Sequence, residues 1–145
     1  MPITSVNPYL HFDGNAEKAI KLYESALGAR TEGLMRLADM PGEAPPPEHK
    51  DRIIHSELRV GAGSFMVADG MPGQPGAGHK NVNVLLNYDD AAEMARAFDA
   101  LAAGGKVTLA IHDTFWGAKF GVLVDAFGVT WMFNHQVDKS RMNAG

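Results

Sequence analysis

The sequence contains one order of predicted elements twice, and this repeat restricts the fold more than any other feature. In each half, apolar residues alternate where a strand is expected and follow helical spacing in the stretch between. In the first half we predict a strand at 4–12, a helix that Asn15 begins and Gly28 ends, and strands at 31–39, 52–60 and 64–69. In the second half we predict a strand at 80–88, a helix that Asp89 or Asp90 begins and Gly104-Gly105 ends, and strands at 106–111, 119–125 and 129–136.

Residue identities between the halves favour an internal duplication. With the two predicted helices aligned, the coincident residues are Asn7 with Asn83, Ala16-Glu17 with Ala92-Glu93, Ala19 with Ala95, and Gly28 with Gly104. A chain of 145 residues is long enough for one compact domain. We therefore predict a single domain, 1–145, made of two modules at about 4–69 and 80–136. A linker rich in glycine and proline, 70–79, joins them, and the polar tail 137–145 is expected to fray.

Composition excludes several classes of protein. The chain has no cysteine, which excludes disulfides, thiolate metal sites and cysteine nucleophiles and suits a cytoplasmic location. The net charge is −4 and no basic run is longer than two residues, so a nucleic-acid partner is disfavoured. The N-terminus lacks the pattern of a signal peptide, and no apolar run is long enough to span a membrane.

Four stretches of the sequence carry a family resemblance: VNPYLHFDGNAEKAIKLYESALGA, DRIIHSELRVG, GHKNVNVLLNYDDAAEM and DTFWGAKFGVLVDAFGVTWMFN. They cover most of residues 6–135 and are similar to the PhnB-like branch of the vicinal oxygen chelate superfamily. That superfamily includes glyoxalase I, bleomycin-resistance proteins and extradiol dioxygenases. The resemblance implies an α+β fold in which two tandem βαβββ modules form a curved eight-stranded sheet. It also implies one helix per module on the convex face, a cleft on the concave face, and a homodimer.

Members of this branch are often described as demethylubiquinone methyltransferases, and the sequence argues against that activity here. Methyl donors such as S-adenosylmethionine usually bind in a glycine-rich loop between a strand and a helix. The first such turn in this chain has one glycine, Gly14, and the second has none. The glycine-rich stretch 70–78 contains Pro72 and Pro75 and precedes no predicted helix.

Enzymes of the resembled superfamily hold a divalent metal with residues from the first and last strands of each module. In this chain those positions fall near Asn7, Val67, Asn83 and Met132. Neither these residues nor their immediate neighbours are histidines or carboxylates. Because two amides and two apolar side chains are a poor donor set for a divalent ion, we expect no metal and no other cofactor.

Strand alternation assigns residues to the expected cleft. A hairpin turn at 61–63 would place Glu57 opposite Val67, His55 opposite Asp69, and Arg59 opposite Phe65. One cleft wall would then be polar and carry Tyr9, His11, His55, Glu57, Arg59 and Asp69. The other wall, from the second module, would be largely apolar and carry Phe120, Val122, Val124, Thr130, Met132 and Asn134, while Leu123, Trp131 and Phe133 would face the helix.

Two groups of candidate residues have more than one interpretation. His55 with Glu57 two residues on could form an oriented general base. The alternative is a cross-strand His55–Asp69 contact beside a Glu57–Arg59 pair. Phe115 and Trp116 lie in a short loop between strands, where they could cap the cleft, close one end of the sheet, or contribute to a dimer interface.

Two functions of different class follow. In the first, the protein binds a small, partly apolar molecule in its cleft without the usual metal. In the second, it is a lyase, isomerase or dioxygenase of the superfamily, either dependent on a metal or using His55 and Glu57. The donor positions favour the first function, and the chemistry expected from the resemblance favours the second.

Overall fold

The computed structural model describes residues 3–42, 44–70 and 82–137. These residues form two compact units, one made of 3–42 and 44–70 and the other of 82–137. The predicted linker beyond Gly70 and the predicted tail beyond Val137 lie outside the described residues. Within those residues, neither helix has the length and apolar character that a bilayer span needs.

The first unit is a four-stranded sheet with one helix. Its elements are β1 (Tyr9–Phe12), α1 (Ala16–Leu27), β2 (Arg30–Arg36), β3 (Ile53–Val60) and β4 (Gly63–Asp69). The strand order is β1-β4-β3-β2, with β1 parallel to β4 and the other pairs antiparallel. The strand expected at 31–39 ends at Arg36, because Leu37–Asp39 forms a single 3-10 turn in which the Asp39 carboxylate accepts from the Arg36 backbone N–H.

The second unit repeats this topology. Its elements are β5 (Val84–Asn87), α2 (Ala91–Ala102), β6 (Lys106–Asp113), β7 (Ala118–Val124) and β8 (Thr130–Gln136). The strand order is β5-β8-β7-β6, again with the first and last strands of the unit parallel. The predicted α+β class and the two βαβββ modules are therefore confirmed.

Each helix covers one face of its own sheet through an apolar stripe. In α1, Ile20 and Tyr23 are buried, and the Tyr23 ring lies 5.7 Å from that of Phe65 on β4. In α2, Met94 and Phe98 are buried, and the Phe98 ring lies 5.1 Å from that of Phe133 on β8. The face of each sheet away from its helix is called its open face below.

The residues that begin and end the two helices agree only in part with those predicted from the sequence. Gly28 adopts the left-handed conformation after α1, and its N–H donates to the Glu24 carbonyl, as predicted. Asp90, the second of the two predicted caps, accepts from the N–H groups of Ala92 and Glu93 at the start of α2. Asn15 occupies the cap position of α1, but its side chain makes no capping hydrogen bond.

Asp69 supplies the missing cap from the end of β4. Its Oδ1 accepts from the backbone N–H groups of Gly14 at 2.7 Å and Ala16 at 3.0 Å, and its Oδ2 accepts from that of Ile53 at 3.0 Å. The carboxylate is buried, so these three donors replace its water. Asp69 thereby fixes the start of α1 and the start of β3 to the end of β4.

The register predicted for the β3–β4 hairpin is wrong by one residue. Glu57 lies opposite Met66, Leu58 opposite Phe65, and Arg59 opposite Ser64. The connection between the strands is two residues, Gly61-Ala62, and its first residue has a φ of +54°, which favours glycine. A slip of one residue reverses the face of every side chain on one strand. Phe65, Val67 and Asp69 consequently face α1 instead of the cleft, and Met66 and Ala68 lie on the open face.

In the β7–β8 hairpin the predicted faces are confirmed. Leu123 pairs with Trp131, and both are fully buried toward α2, as is Phe133. Val122 pairs with Met132 and Phe120 with Asn134 on the open face. The Trp131 indole donates to the buried Asp125 carboxylate at 2.9 Å, which closes the turn between the strands.

Candidate functional site

The open face of the first sheet brings together six of the residues predicted for the site. The alternation of β1 and β3 places them there, because Leu10 and Leu58 take the buried positions between them. The six residues are Asn7, Tyr9, His11, His55, Glu57 and Arg59. They form two connected groups, one aromatic and one charged.

The aromatic group consists of Tyr9, His11 and His55. The Tyr9 hydroxyl lies 3.1 Å from Nδ1 of His55, at hydrogen-bond distance across β1 and β3. The Tyr9 and His11 rings are stacked with their centroids 4.5 Å apart and their planes within 14°. The His55 ring meets Tyr9 edge-on, at 6.1 Å and 63°. Partial burial raises the pKa of the Tyr9 phenol above its ordinary value, so the hydroxyl keeps its proton at neutral pH.

The charged group crosses the sheet as a chain of hydrogen bonds and ion pairs. The Asn7 amide donates to Ser64 Oγ at 3.0 Å, and that hydroxyl donates to Glu57 at 3.1 Å. Arg59 contacts Glu57 at 3.7 Å and forms a short hydrogen bond with Glu32 on β2. The hydrogen bond to Glu32 is the main cause that raises the pKa of the Arg59 guanidinium. The predicted Glu57–Arg59 pair is therefore confirmed.

Three residues of this face were missed by sequence reasoning. They are Glu32, Ser64 and Met66. Ser64 and Met66 lie opposite Arg59 and Glu57 in the actual register, and the glycine at the first position of a two-residue turn was the signal for that register. Glu32 lies opposite Glu57 on β2, a pairing that the sequence gives no means to foresee.

Two predicted site residues lie elsewhere. Val67 is fully buried on the α1 face of β4, and Asp69 is engaged by three backbone N–H groups on the same face. The predicted His55–Asp69 contact is wrong, since Tyr9 is the hydrogen-bond partner of His55. We therefore exclude Val67 and Asp69 from the candidate binding face.

The open face of the second sheet is mostly apolar. Its strands pair Leu85 with Met132, Leu109 with Val122, and His112 with Phe120. Leu85 and Leu109 are exposed, at 51% and 43% of their surface. At the end of β5, the Asn83 amide lies 3.8 Å from the Met132 sulfur. Taken by itself, this face could supply apolar contacts to a ligand but little charge.

Phe115 and Trp116 occupy a tightly bonded turn between β6 and β7. Thr114 and Ala118 exchange hydrogen bonds across it, and the Gln136 side chain donates to the Trp116 carbonyl. Phe115 is 86% exposed and Trp116 is 40% exposed, with their rings 5.0 Å apart. Trp116 also meets Phe120 of β7 edge-on at 6.2 Å. The turn holds the aromatic pair at the surface, and its role in binding or assembly stays a prediction.

The residues at the positions expected for a metal do not suit a divalent ion. Asn7 is hydrogen-bonded to Ser64, Val67 faces the helix, and the Asn83 amide is directed at the Met132 thioether. Soft sulfur, two neutral amides and a hydrocarbon do not form an oxygen or nitrogen cage. Across residues 3–42, 44–70 and 82–137, no three His, Asp or Glu side chains are grouped so as to hold a metal ion.

Comparison with known proteins gives one family and several similar folds. A family model described as 3-demethylubiquinone-9 3-methyltransferase matches residues 4–134. The crystal structure of protein PA1353 from Pseudomonas aeruginosa is 40% identical, with 94% of this chain and 100% of that chain covered and a TM-score of 0.83.

Two more distant structures share the fold alone. A PhnB protein from Bacillus cereus is 22% identical over 91% of this chain and 99% of its own, with a TM-score of 0.73. An enzyme of the glyoxalase/bleomycin resistance protein/dioxygenase family from Burkholderia phytofirmans is 15% identical over 90% and 99% of the two chains, with a TM-score of 0.60.

Proposed function

The chain belongs to the family whose model is described as 3-demethylubiquinone-9 3-methyltransferase, and from this premise we propose that it is a PhnB-like protein of the vicinal oxygen chelate superfamily that binds a small, partly apolar molecule without a divalent metal. The binding surface of this proposal is the open face of the first sheet. The observation that carries the proposal is the exposed Tyr9–His11–His55 group, in which three rings are held by stacking and a hydrogen bond.

Two features support binding at this face. Tyr9 keeps 41% of its surface exposed although its hydroxyl is already partnered, so a ring remains available for contact. Polar groups that can orient a ligand, His55 and the Glu57–Arg59 pair, lie on the same strand. Binding sites typically combine such apolar contact area with a few fixed polar groups.

The metal-free part of the proposal depends on the donor set at Asn7, Val67, Asn83 and Met132. Elemental analysis of the purified protein, with and without added Ni, Zn, Fe and Mn, tests it directly. We expect less than a stoichiometric amount of each metal after dialysis. One tightly held metal per chain would contradict the donor argument.

A thermal-shift screen of small aromatic and heteroaromatic compounds tests the binding part. A compound present at a hundred times its dissociation constant adds about 2.7 kcal/mol of apparent stability. We expect His55→Ala to remove that shift, because it removes a ring and a polar group from the open face. Lys18→Ala, at an exposed position on α1 behind the same sheet, is the matched control and should keep it. If a compound gives the same thermal shift with His55→Ala as with the wild type, it binds outside the open face.

Trp116→Ala separates the interpretations of the aromatic turn. Loss of the thermal shift with an unchanged oligomeric state would assign Trp116 to ligand contact. A change of oligomeric state with the ligand shift retained would assign it to assembly.

The methyltransferase description of the matching family model is not part of this proposal. In the β1–α1 turn the only glycine, Gly14, already donates its N–H to Asp69, and the β5–α2 connection has no glycine. Neither turn therefore offers a free glycine N–H of the kind found in loops that hold S-adenosylmethionine. Isothermal titration with S-adenosylmethionine is expected to show no binding, and saturable heat would contradict this.

The alternative function, an enzyme of the superfamily, has one observation in its favour. His55 is held by Tyr9, so its ring has a fixed orientation, which general acid–base chemistry requires. Glu57 does not supply that orientation, because its carboxylate is engaged by Ser64 and Arg59. A reaction at this face would therefore use a Tyr9–His55 pair rather than the His55–Glu57 pair.

We further propose that the protein is a cytoplasmic homodimer. The absence of cysteine supports the location, and the family resemblance supports the assembly. A nucleic-acid partner is not proposed, because the net charge of −4 disfavours binding to phosphates.

A further inference from the structure

The contact between Tyr9 and His55 bears on which imidazole nitrogen can donate to a ligand. The Tyr9 hydroxyl lies 3.1 Å from Nδ1, and if the phenol is the donor in this contact, a neutral imidazole carries its proton on Nε2. His55 is exposed, and Tyr9 is its hydrogen-bond partner among the residues that the structure describes. In that tautomer, the Nε2–H group is a donor that a bound molecule can satisfy.

The rings beside this donor favour a flat molecule. Tyr9 and His11 are nearly parallel, with planes within 14°, and both residues are exposed. A third planar group gains offset-stacking contact on such a pair without rearrangement of the rings. Tyr9 is part of the stack and also contacts the His55 ring edge-on. A planar ligand on the stack would therefore lie in the same cluster as the His55 imidazole.

The charges on the same face favour an uncharged molecule. Arg59 is paired with Glu32 and Glu57, and Arg30 lies 4.0 Å from Glu32. The two guanidinium groups and two carboxylates thus balance, and each cation already has a carboxylate. An anionic ligand could pair with one of these arginines only by displacing a carboxylate that already pairs with it. The net gain in binding free energy would therefore be small.

Building on the proposed function, we infer that the ligand is a planar, uncharged aromatic molecule with a carbonyl oxygen, and that His55 selects it by donating Nε2–H to that oxygen. His55 is thereby the specificity-determining residue of the open face, and Tyr9 is a positioning residue that sets its tautomer.

The tautomer is measured without any ligand. Nitrogen-15 NMR of the imidazole side chains is expected to show His55 protonated at Nε2 alone at pH 7.5. In Tyr9→Phe, which keeps the stacked ring and removes the hydroxyl, we expect the Nδ1–H form to become populated. A wild-type His55 that is protonated at Nδ1 would overturn the inference.

The ligand class is tested with benzamide and benzoate, which share a ring and differ in charge at the carbonyl group. Titration followed by backbone NMR is expected to shift the signals of Tyr9, His11 and His55 with benzamide, and benzoate should bind more weakly. His55→Phe keeps a planar ring without the donor, and should weaken benzamide binding about tenfold, the value of one hydrogen bond. Lys18→Ala should bind benzamide as the wild type does.

The outcomes distinguish this inference from the proposed function. Tighter binding of benzoate than benzamide at this face, or equal binding of benzamide to wild type and His55→Phe, would overturn the inference and leave the proposed function standing. If neither probe nor any screened compound shifts the open face, the proposed function fails and the inference fails with it.

Discussion

Asp69 joins three separate pieces of backbone through one buried carboxylate. Its oxygens accept from Gly14, Ala16 and Ile53, which belong to the β1–α1 turn, the start of α1 and the start of β3. A group of this kind contributes more than an ordinary helix cap, since its loss leaves several donors without a partner in the interior.

We expect Asp69→Ala to lower the free energy of unfolding by about 2–4 kcal/mol, because the N–H groups of Ala16 and Ile53 lose their acceptor in a buried place. Urea unfolding followed by circular dichroism measures it. Asp99→Ala, at an exposed position on α2, is the control and should change stability little. Similar losses in the two variants would show that the three hydrogen bonds stabilise nothing.

Gly105 lies directly against the backbone of the second unit. A Cβ placed on it would collide with the Val124 carbonyl oxygen and lie 2.8 Å from the Asp125 carbonyl carbon. Backbone cannot rotate away as a side chain can, so we expect Gly105→Ala to cost about 3 kcal/mol or more. Gly63→Ala, whose Cβ would meet only the Val60 carbonyl at 3.9 Å, should be near neutral in the same unfolding assay.

Prediction from sequence succeeded at the site where a residue's face depends on its own strand. His55, Glu57 and Arg59 alternate with buried residues of β3, so their common face was predicted correctly. Val67 and Asp69 were misplaced because their face was inferred across a hairpin from a three-residue turn, and the actual loop has two residues. The Tyr9–His55 hydrogen bond joins strands distant in sequence, which local patterns cannot predict.

At the scale of elements, the N-termini of the two helices are capped by different kinds of polar contact. The first helix is capped by Asp69 from another strand, whereas the second is capped by its own Asp90. The local pattern at Asp90 allowed a correct prediction, and the tertiary cap at Asp69 did not. Most strand positions followed from alternation, but β1 and β5 are shorter than predicted, with four residues each.

We expect Asp90→Ala to destabilise the protein by about 0.5–2 kcal/mol, the usual range for an N-cap. The loss should be smaller than that of Asp69→Ala, because Asp90 is exposed and water can satisfy the freed N–H groups of Ala92 and Glu93. Thermal unfolding of both variants in one buffer gives the comparison. A larger loss for Asp90→Ala would contradict the ranking.

The Glu17–Arg36 pair links α1 to the end of β2 and should make stability depend on pH. The hydrogen bond from Arg36 lowers the pKa of Glu17 below its ordinary value of 4.5. A carboxyl group with a lowered pKa in the folded state stabilises the fold above its unfolded pKa. That contribution disappears as the pH falls through the folded pKa.

We expect Glu17→Gln to be less stable than the wild type at pH 7 by at most about 1 kcal/mol, because the side chain is 47% exposed and water screens the pair. The difference should close at a pH below the lowered pKa. Glu93→Gln changes the equivalent residue of α2, which has no arginine partner among the described ion pairs, and should show less pH dependence. A Glu17→Gln difference that stays constant down to low pH would contradict this.

At the scale of the whole molecule, the two units share one topology and differ in surface chemistry. Both units have the same strand order and one helix on one face. Their open faces differ, since one carries Tyr9, His55 and Arg59 and the other carries Leu85, Val122 and Met132. Topology was predictable because it follows from the order of elements, whereas the chemistry of each face had to be read residue by residue.

For the assembled protein we expect a homodimer. Light scattering coupled to size-exclusion chromatography should give twice the 15.6 kDa of one chain. The mass should stay the same across a tenfold dilution if the interface is permanent. A mass of one chain at all concentrations would contradict the proposed assembly.

The parallel pairing of the first and last strands of each unit also sets the order in which the chain can fold during synthesis. β1 leaves the ribosome first, yet its partner β4 is the last strand of the unit to emerge. Until then, the apolar positions Leu10 and Phe12 have no sheet to join, and the Asp69 contacts cannot form. Contacts between residues far apart in sequence form slowly, so closure of β1 onto β4 in the first unit, and of β5 onto β8 in the second, should be the late step. The nascent chain is therefore most exposed to proteases and aggregation just before the last strand of a unit is made.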